Sequence, residues 1–575
     1  MLQGLIAFAI YLVVMVFGFA QPLLPHLNVP YVGQVEVDPN FYVWAIGWWP
    51  HAITHGLNPF YSSQIMAPGG ISLAWATTTP TVALLLWPVT AAVGPVAAFN
   101  LSLILAPPAS AWATFIAARR LTGRFWPALF AGPVFGFCDY EMSHEASGQP
   151  NLTVTLLIPL VVYLVIRWWD GSLSRKAFLI WTALALAAEF YTFLEFFADL
   201  TMLGAAALVI GYLIAGQDMR PKVWRLAVDG VIAYVGALVL AAPYLFVALR
   251  AFSKSSFTRS GKQFSVDIAS VVLPRAAPNR LLGMTWWRAA ASHFDTPKIY
   301  VGIPLLLLFA LVAVFFWKKN RLVRLLVPLY LVIFLLALGP DLINESRRIM
   351  PLPWGFIWRL PILQSATPQR LMAFGQLVLA LVLALWLAQL SGGKLVRAGR
   401  WALGIVALAA MFANLSTFAS VVIPPKPTPK QWIRAYPSLP LTDYIPTFFT
   451  QGTYQKYIKP GETVVVVSHR GNAGMLFQSY TGFYFNIAGG FINASLSQVN
   501  ALPAPVEHLS YLPGKVGARR VKDFKTYVKK AHIGAIIVER AYSEKWMYNF
   551  GKDGINLKAV TVGGVTVFQV PPGYR

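Results

Sequence analysis

Five short clusters of Lys and Arg punctuate this chain: Arg119, Arg120 and Arg124; Arg167, Arg175 and Lys176; Arg220, Lys222 and Arg225; Lys318, Lys319, Arg321 and Arg324; and Lys394, Arg397 and Arg400. Each separates apolar stretches. Positive residues collect in short loops on the cytoplasmic side of a membrane, so these clusters force the segments between them to cross in alternating directions. The spans expected are 4–23, 96–118, 125–138, 152–167, 177–192, 200–216, 227–249, 299–317, 323–339, 371–390 and 401–422, eleven in all, with the amino terminus inside and the carboxyl terminus outside. The first lacks a basic region ahead of its apolar run and is expected to stay as an uncleaved span. The apolar segment 80–93 is short and contains Pro88. As a span it would move the Arg119 cluster to the outer side, so an interfacial or re-entrant helix is expected there.

The charge balance fits the same picture. Charged residues are 12% of the chain against about a quarter in soluble globular domains, and hydrophobic residues are 57%. A formal charge of +24 would suggest nucleic acid in a soluble protein. In a membrane chain it is accounted for by cytoplasmic loops and anionic headgroups, and no nucleic-acid-binding module is discernible, so no nucleic-acid partner is expected. The single Cys138 lies in an apolar stretch, which rules out a disulfide framework or CxxC site and predicts a buried small hydrophobe.

Three outer regions, 24–95, 250–298 and 340–370, are too long to be simple connectors within the transmembrane domain 1–423. The stretch FYVWAIGWWPHAI in the first reads as an amphipathic helix at the membrane surface, with its aromatic residues as a belt or as part of a site. Beyond the Pro-rich PPKPTPK, residues 424–575 have ordinary polarity, with strand-like runs at 463–467, 534–538 and 565–570 and a basic helix-like segment at 521–532. A soluble extracytoplasmic α/β domain is expected there.

Glu36 and Asp38 are the only acids in the first 138 residues, and no Lys or Arg occurs in the first 118. In an extended VEVDP segment the two side chains would share one side, with Pro39 ending the strand, and could work on one hydroxyl or one metal ion. A solvated loop acid is the bland alternative. Acids left uncompensated near a bilayer are costly unless they serve a cation or a proton transfer.

On that acid-x-acid pair in the first outer loop, and on a surface helix with Pro88 and Gly94 followed by a span ending in AARRLTG (117–123), the chain resembles the GT-C superfamily of membrane glycosyltransferases. The outer-face carboxyl-terminal domain is similar as well. The resemblance implies a polytopic α-helical fold of about eleven transmembrane helices. It also implies an inverting transfer of a sugar from a polyprenyl-phosphate donor to a cell-envelope glycan, lipid or protein, with Asp38 as general base and Glu36 beside it. The location implied is the extracytoplasmic face of a bacterial inner membrane. A divalent cation, Mg or Mn, is possible. The chain departs from the paired-acid members in having no second acid adjacent to Asp38.

A departing lipid phosphate needs positive charge, and loop 250–298 holds eight Lys and Arg against two acids. Lys254, Arg259, Lys262, Arg347 and Arg370 are the candidates, with headgroup binding or snorkelling as the alternative for any one of them. Asp139, His144 and Glu145 in DYEMSHEASGQ, together with His55, are candidates for an acceptor or metal shell. His51 and His55, four apart, share a helical face but lack an HExxH pattern. Glu189, Glu195 and Asp199 read as acids at the mouth of the bundle. Gln478, Tyr480, Phe483 and Phe485 read as a saccharide platform or a packed core. The competing functional class is a transporter or flippase of lipid-linked saccharides, which would more often place its ionisable residues mid-membrane in broken, repeated spans. A non-catalytic envelope scaffold is a third class.

Overall fold

A computed structural model describes residues 2–21, 23–28, 37–252, 264–273, 299–344, 347–358, 363, 366–414, 445–468, 472–490, 492, 518–539 and 557–572. Every expected span has its helix: Leu2–Ala20, Pro95–Thr122, Phe125–Gly136, Pro150–Trp169, Arg175–Thr192, Leu194–Ile214, Arg220–Leu240, Ile303–Phe316, Arg321–Ala337, Pro368–Leu387 and Lys394–Asn414. Seven are long and apolar enough to cross a membrane by length and composition; Phe125–Gly136 and Ile303–Phe316 are apolar but shorter. The protein is a multi-pass membrane protein.

The helix ends follow from local chemistry. Pro95–Thr122 stops where Gly123 turns left-handed at φ 69° and its N–H reaches back to the Arg119 carbonyl, with Arg119 and Arg120 at the negative end of the helix dipole. Asn320 caps Arg321–Ala337 by accepting from the Leu322 N–H at 2.9 Å. Segment 80–93 forms two short helices, Pro80–Leu85 and Trp87–Val93, broken at Leu86 because Pro88 has no N–H with which to continue the first. Neither piece is long enough on its own to cross a membrane.

Met372–Leu387 is hydrophobic all round and almost wholly buried, which places it at the centre of the bundle. Its one polar side chain, Gln376, donates to the Tyr300 carbonyl at 3.1 Å. Cys138 is buried.

The carboxyl-terminal region carries a five-stranded mixed sheet, in the order Asn486–Ile487, Thr463–Val467, Ile533–Glu539, Val565–Gln569, Ala559–Val562. The first three strands are parallel and the last two antiparallel to their neighbours. Helix Ala518–Lys530 precedes the central strand, so the α/β reading holds.

One expectation for the first outer region is overturned. FYVWAIGWWPHAI is helical, within Val37–Thr54, but Phe41 to Pro50 are buried without exception, so the helix has no solvent face there. What covers it is the carboxyl-terminal region. Gln478 accepts from Trp44 Nε1 at 2.8 Å and donates to the carbonyls of Gln64 and Phe485 at 2.8 and 2.7 Å. Ser479 donates to the Val43 carbonyl at 3.2 Å. The Phe483 ring packs edge-on against Trp44 and Trp48 at 6.0 and 5.8 Å. Main-chain bonds from Met66 to Gly489 and from Ile487 to Gln64 complete the seam. Side chains of both regions therefore belong to one continuous core. Of the two readings for Gln478, Phe483 and Phe485, packing is the one observed.

Candidate active site

Asp38 lies in the first turn of Val37–Thr54, where a carboxylate is favoured by the helix dipole and Pro39 costs no intrahelical bond. The extended geometry expected for Asp38 is thus corrected to a helical one, while Glu36 lies outside the described residues. Asp38 is partly exposed, and its Oδ2 accepts from Gln149 Nε2 at 2.7 Å. The other end of the same carboxamide, Oε1, faces His144 Nδ1 at 2.6 Å, which makes Nδ1 the protonated ring nitrogen. The chain brings Gln149 to this point by a tight reversal after helix Asp139–Ala146, where Gly148 adopts φ 69° and Gln149 N–H returns to the His144 carbonyl.

Helix Asp139–Ala146 is buried on most sides despite its charge. Ser143 donates to Asp139 Oδ1 at 3.5 Å. Thr155 donates to Glu141 and is itself linked to Ser110 at 3.0 Å. Burial pushes the Glu141 carboxyl well above the usual carboxylate range, against the opposing effect of the Thr155 hydroxyl. Glu145 is pushed up by burial and then by Glu141. Among the described residues one oxygen of each has no hydrogen-bond partner.

The second charged centre is Arg370, which forms an ion pair with Glu195 and lies over the Phe193 ring at 5.2 Å. Glu195 also accepts from the Thr367 N–H at 2.7 Å, so the acid is held from two sides. Arg370 is within electrostatic reach of the Tyr42 and Tyr140 phenols. Tyr42 is one helical turn beyond Asp38. Tyr140 lies 4.6 Å from His144, ring centre to ring centre. Asp38, Gln149 and His144 therefore form one hydrogen-bonded chain, with Tyr140 packed against His144 and Arg370 within electrostatic range of Tyr140.

The remaining predicted residues distribute unevenly. Lys254, Arg259 and Lys262 lie outside the described residues. Arg347 is exposed on a hairpin of Asp341–Asn344 with Arg347–Pro351, beside Arg348, which is paired with Asp341 at 2.7 Å. His55 is exposed and its ring lies 4.2 Å from that of His51, which in turn stacks on Phe483 at 4.3 Å. Burial, with His55 adding to it, lowers His51 to about 4. Among the described residues no three of His, Cys, Asp and Glu converge on a point that would hold a metal ion, so Asp139, His144, Glu145 and His55 do not complete a cation site with Asp38. His144 is turned to Gln149 instead.

Sequence reasoning missed Gln149, although it closes the quoted DYEMSHEASGQ motif, because an uncharged amide 111 residues from its partner has no signature in a single sequence. It also missed that Glu195 is the partner of Arg370.

The family model described as Domain of unknown function (DUF6311) matches residues 6–367. A search of the curated proteins returns no match. Among solved structures, the arabinofuranosyltransferase AftD from Mycobacteria superposes with a TM-score of 0.56 at 14% identity, over 100% of this chain and 40% of that one. The chain thus spans well under half the length of that protein. ArnT from Cupriavidus metallidurans gives 0.49 at 12% identity over 99% and 98% of the two chains. The oligosaccharyltransferase AglB from Archaeoglobus fulgidus gives 0.49 at 12% identity over 99% and 75%. At such identities the likeness is one of fold alone.

Proposed function

The chain belongs to the family described as Domain of unknown function (DUF6311), and for this member we propose glycosyl transfer from a polyprenyl-phosphate sugar to a cell-envelope glycan, lipid or protein on the extracytoplasmic face. The observation that carries the reading is the Asp38 carboxylate held by Gln149 at a partly exposed position, with Gln149 held in turn by His144. The GT-C fold shared with an arabinofuranosyltransferase supports it.

In the proposed reaction Asp38 takes the proton of the acceptor hydroxyl as its oxygen bonds to the anomeric carbon. The bond from that carbon to the phosphate oxygen breaks on the opposite side, and the configuration inverts. Gln149 fixes the orientation of the carboxylate, and His144 fixes Gln149. General-base help of this kind is worth about 10² to 10⁴ in rate. The leaving phosphate requires cations. Arg370 is already paired with Glu195, so Lys254, Arg259, Lys262 and Arg347 are proposed to supply the rest. The described residues do not assemble a divalent-cation site, and no step is routed through one.

The test is to incubate the purified protein with a panel of polyprenyl-phosphate sugars and a crude envelope acceptor fraction, and to follow release of free polyprenyl phosphate. Release that falls in Asp38→Asn by about 10² or more supports the assignment. Equal release in both removes Asp38 as the base, and transport of labelled lipid without any glycosyl product replaces the enzyme with a flippase.

A further inference from the structure

At the end of the bundle away from Asp38, a cavity of about 550 Å³ opens between the start of helix Phe125–Gly136, the end of Met372–Leu387 and the start of Lys394–Asn414. Its position is fixed by Pro95–Thr122. The first residue of that helix packs beside Gly47 in the site helix, while its last turn leads into Arg124 on the cavity wall. At 1.5 Å per residue its 28 residues set the two ends about 42 Å apart, a full bilayer.

The lining contains Arg124, Lys394, Arg397 and Arg400 and no acid. Among the described residues none of these four has a carboxylate partner within ion-pair distance. Arg400 is braced rather than neutralised: it donates to the Gln389 and Ser391 carbonyls at 3.1 and 2.8 Å and lies over the Trp386 ring at 5.6 Å. The rim is aromatic. Trp126 is 61% exposed, and Trp401 is fixed edge-on against Phe130 at 5.2 Å. The starts of two helices bring their positive dipole ends to the same space, where the end of Met372–Leu387 brings a negative one.

Four uncompensated cations around one cavity, at the depth where tryptophans meet headgroups, require an anionic occupant reached from the bilayer plane. We propose that this cavity binds the phosphate headgroup of an anionic phospholipid, on the face opposite the transfer site. The lipid phosphate sits among Arg124, Lys394 and Arg397, its acyl chains lie along Trp126 and Leu390, and its binding ties the helix pair 368–414 to helix 125–136.

The test uses the full chain purified in mild detergent, stripped of lipid and titrated with phosphatidylglycerol, phosphatidylcholine or inorganic phosphate, with bound lipid counted by native mass spectrometry. Wild type is expected to retain phosphatidylglycerol in preference to phosphatidylcholine. The double variant Lys394→Gln/Arg397→Gln should bind it more weakly, by roughly fivefold per removed charge. Lys318→Gln/Lys319→Gln, which removes two exposed charges that are not part of the cavity lining, should leave retention unchanged. Equal losses in the two double variants, or retention unchanged in the first, overturn the proposal. Saturation by inorganic phosphate with no preference for the lipid would make this a soluble-anion site and overturn the lipid assignment. An unchanged melting curve confirms that the first variant is folded.

Discussion

Gln149 donates its carboxamide to the Asp38 carboxylate at 2.7 Å although 111 residues separate the two in the chain. A carboxylate tethered by one neutral donor keeps its second oxygen available, which suits a base that must receive a proton from outside. Replacing Gln149 by Leu removes the tether and the His144 contact but leaves Asp38 in place. Turnover should fall on the order of 10 to 100-fold with little change in folding, measured as release of the lipid phosphate.

Gln149→Glu tests the same contact with charge. A second carboxylate beside Asp38 favours its protonated form. Because the base must be ionised to act, the alkaline-rising limb of the kcat/KM profile should move to higher pH in the variant. A profile identical to wild type would separate Asp38 from the chemistry.

Glu195→Ala leaves Arg370 without its acid and the Thr367 N–H without its acceptor. Both side chains of the pair are mostly buried, so the change should destabilise the protein by about 3 to 5 kcal/mol, read as a lower melting temperature in detergent. Restoring the contact with Glu195→Gln should recover part of it, since an amide still accepts from the Thr367 N–H.

His51 predicts a pH dependence of the same sign as that of a paired carboxylate, at a higher pH. Its folded-state value of about 4 lies below the ordinary 6.5, so between those values the unfolded chain holds a proton that the folded one does not. Stability should therefore decline as pH falls from about 6.5 towards 4 and level off below, and His51→Phe should flatten that slope. Melting temperatures at pH 7 and pH 4.5 check it.

Gly47→Ala places a methyl group onto the Ser479 hydroxyl, which also donates to the Val43 carbonyl. Overpacking of this kind costs about 1 to 3 kcal/mol. The loss should appear as faster proteolysis of the carboxyl-terminal region, and Gly47→Ala with Ser479→Gly should restore resistance.

The bundle was legible because charge punctuates it: the Arg119 cluster marks a helix end that the structure places within a few residues of the expected one, whereas the helix at the Arg220 cluster begins and ends several residues before the expected span. Pro88 likewise marked the helix break within 80–93. What could not be read was anything decided by contacts distant in sequence. Trp44 and Trp48 look like a surface belt until Gln478, 434 residues beyond Trp44, is laid over them. In the same way Glu195 and Arg370 are two unrelated loop charges until the fold joins them across 175 residues. Asp38 was conspicuous as an acid with no nearby base, whereas the amide that orients it carries no charge to betray it.

The helix that bears Asp38 at its first turn is roofed, two turns later, by the strand-and-helix unit at the far end of the chain. Severing the polypeptide in its proline-rich connector would not yield a smaller working half. The membrane half alone would present Trp44 and Trp48 to water, and any force that shifts the roof also shifts the base beneath it.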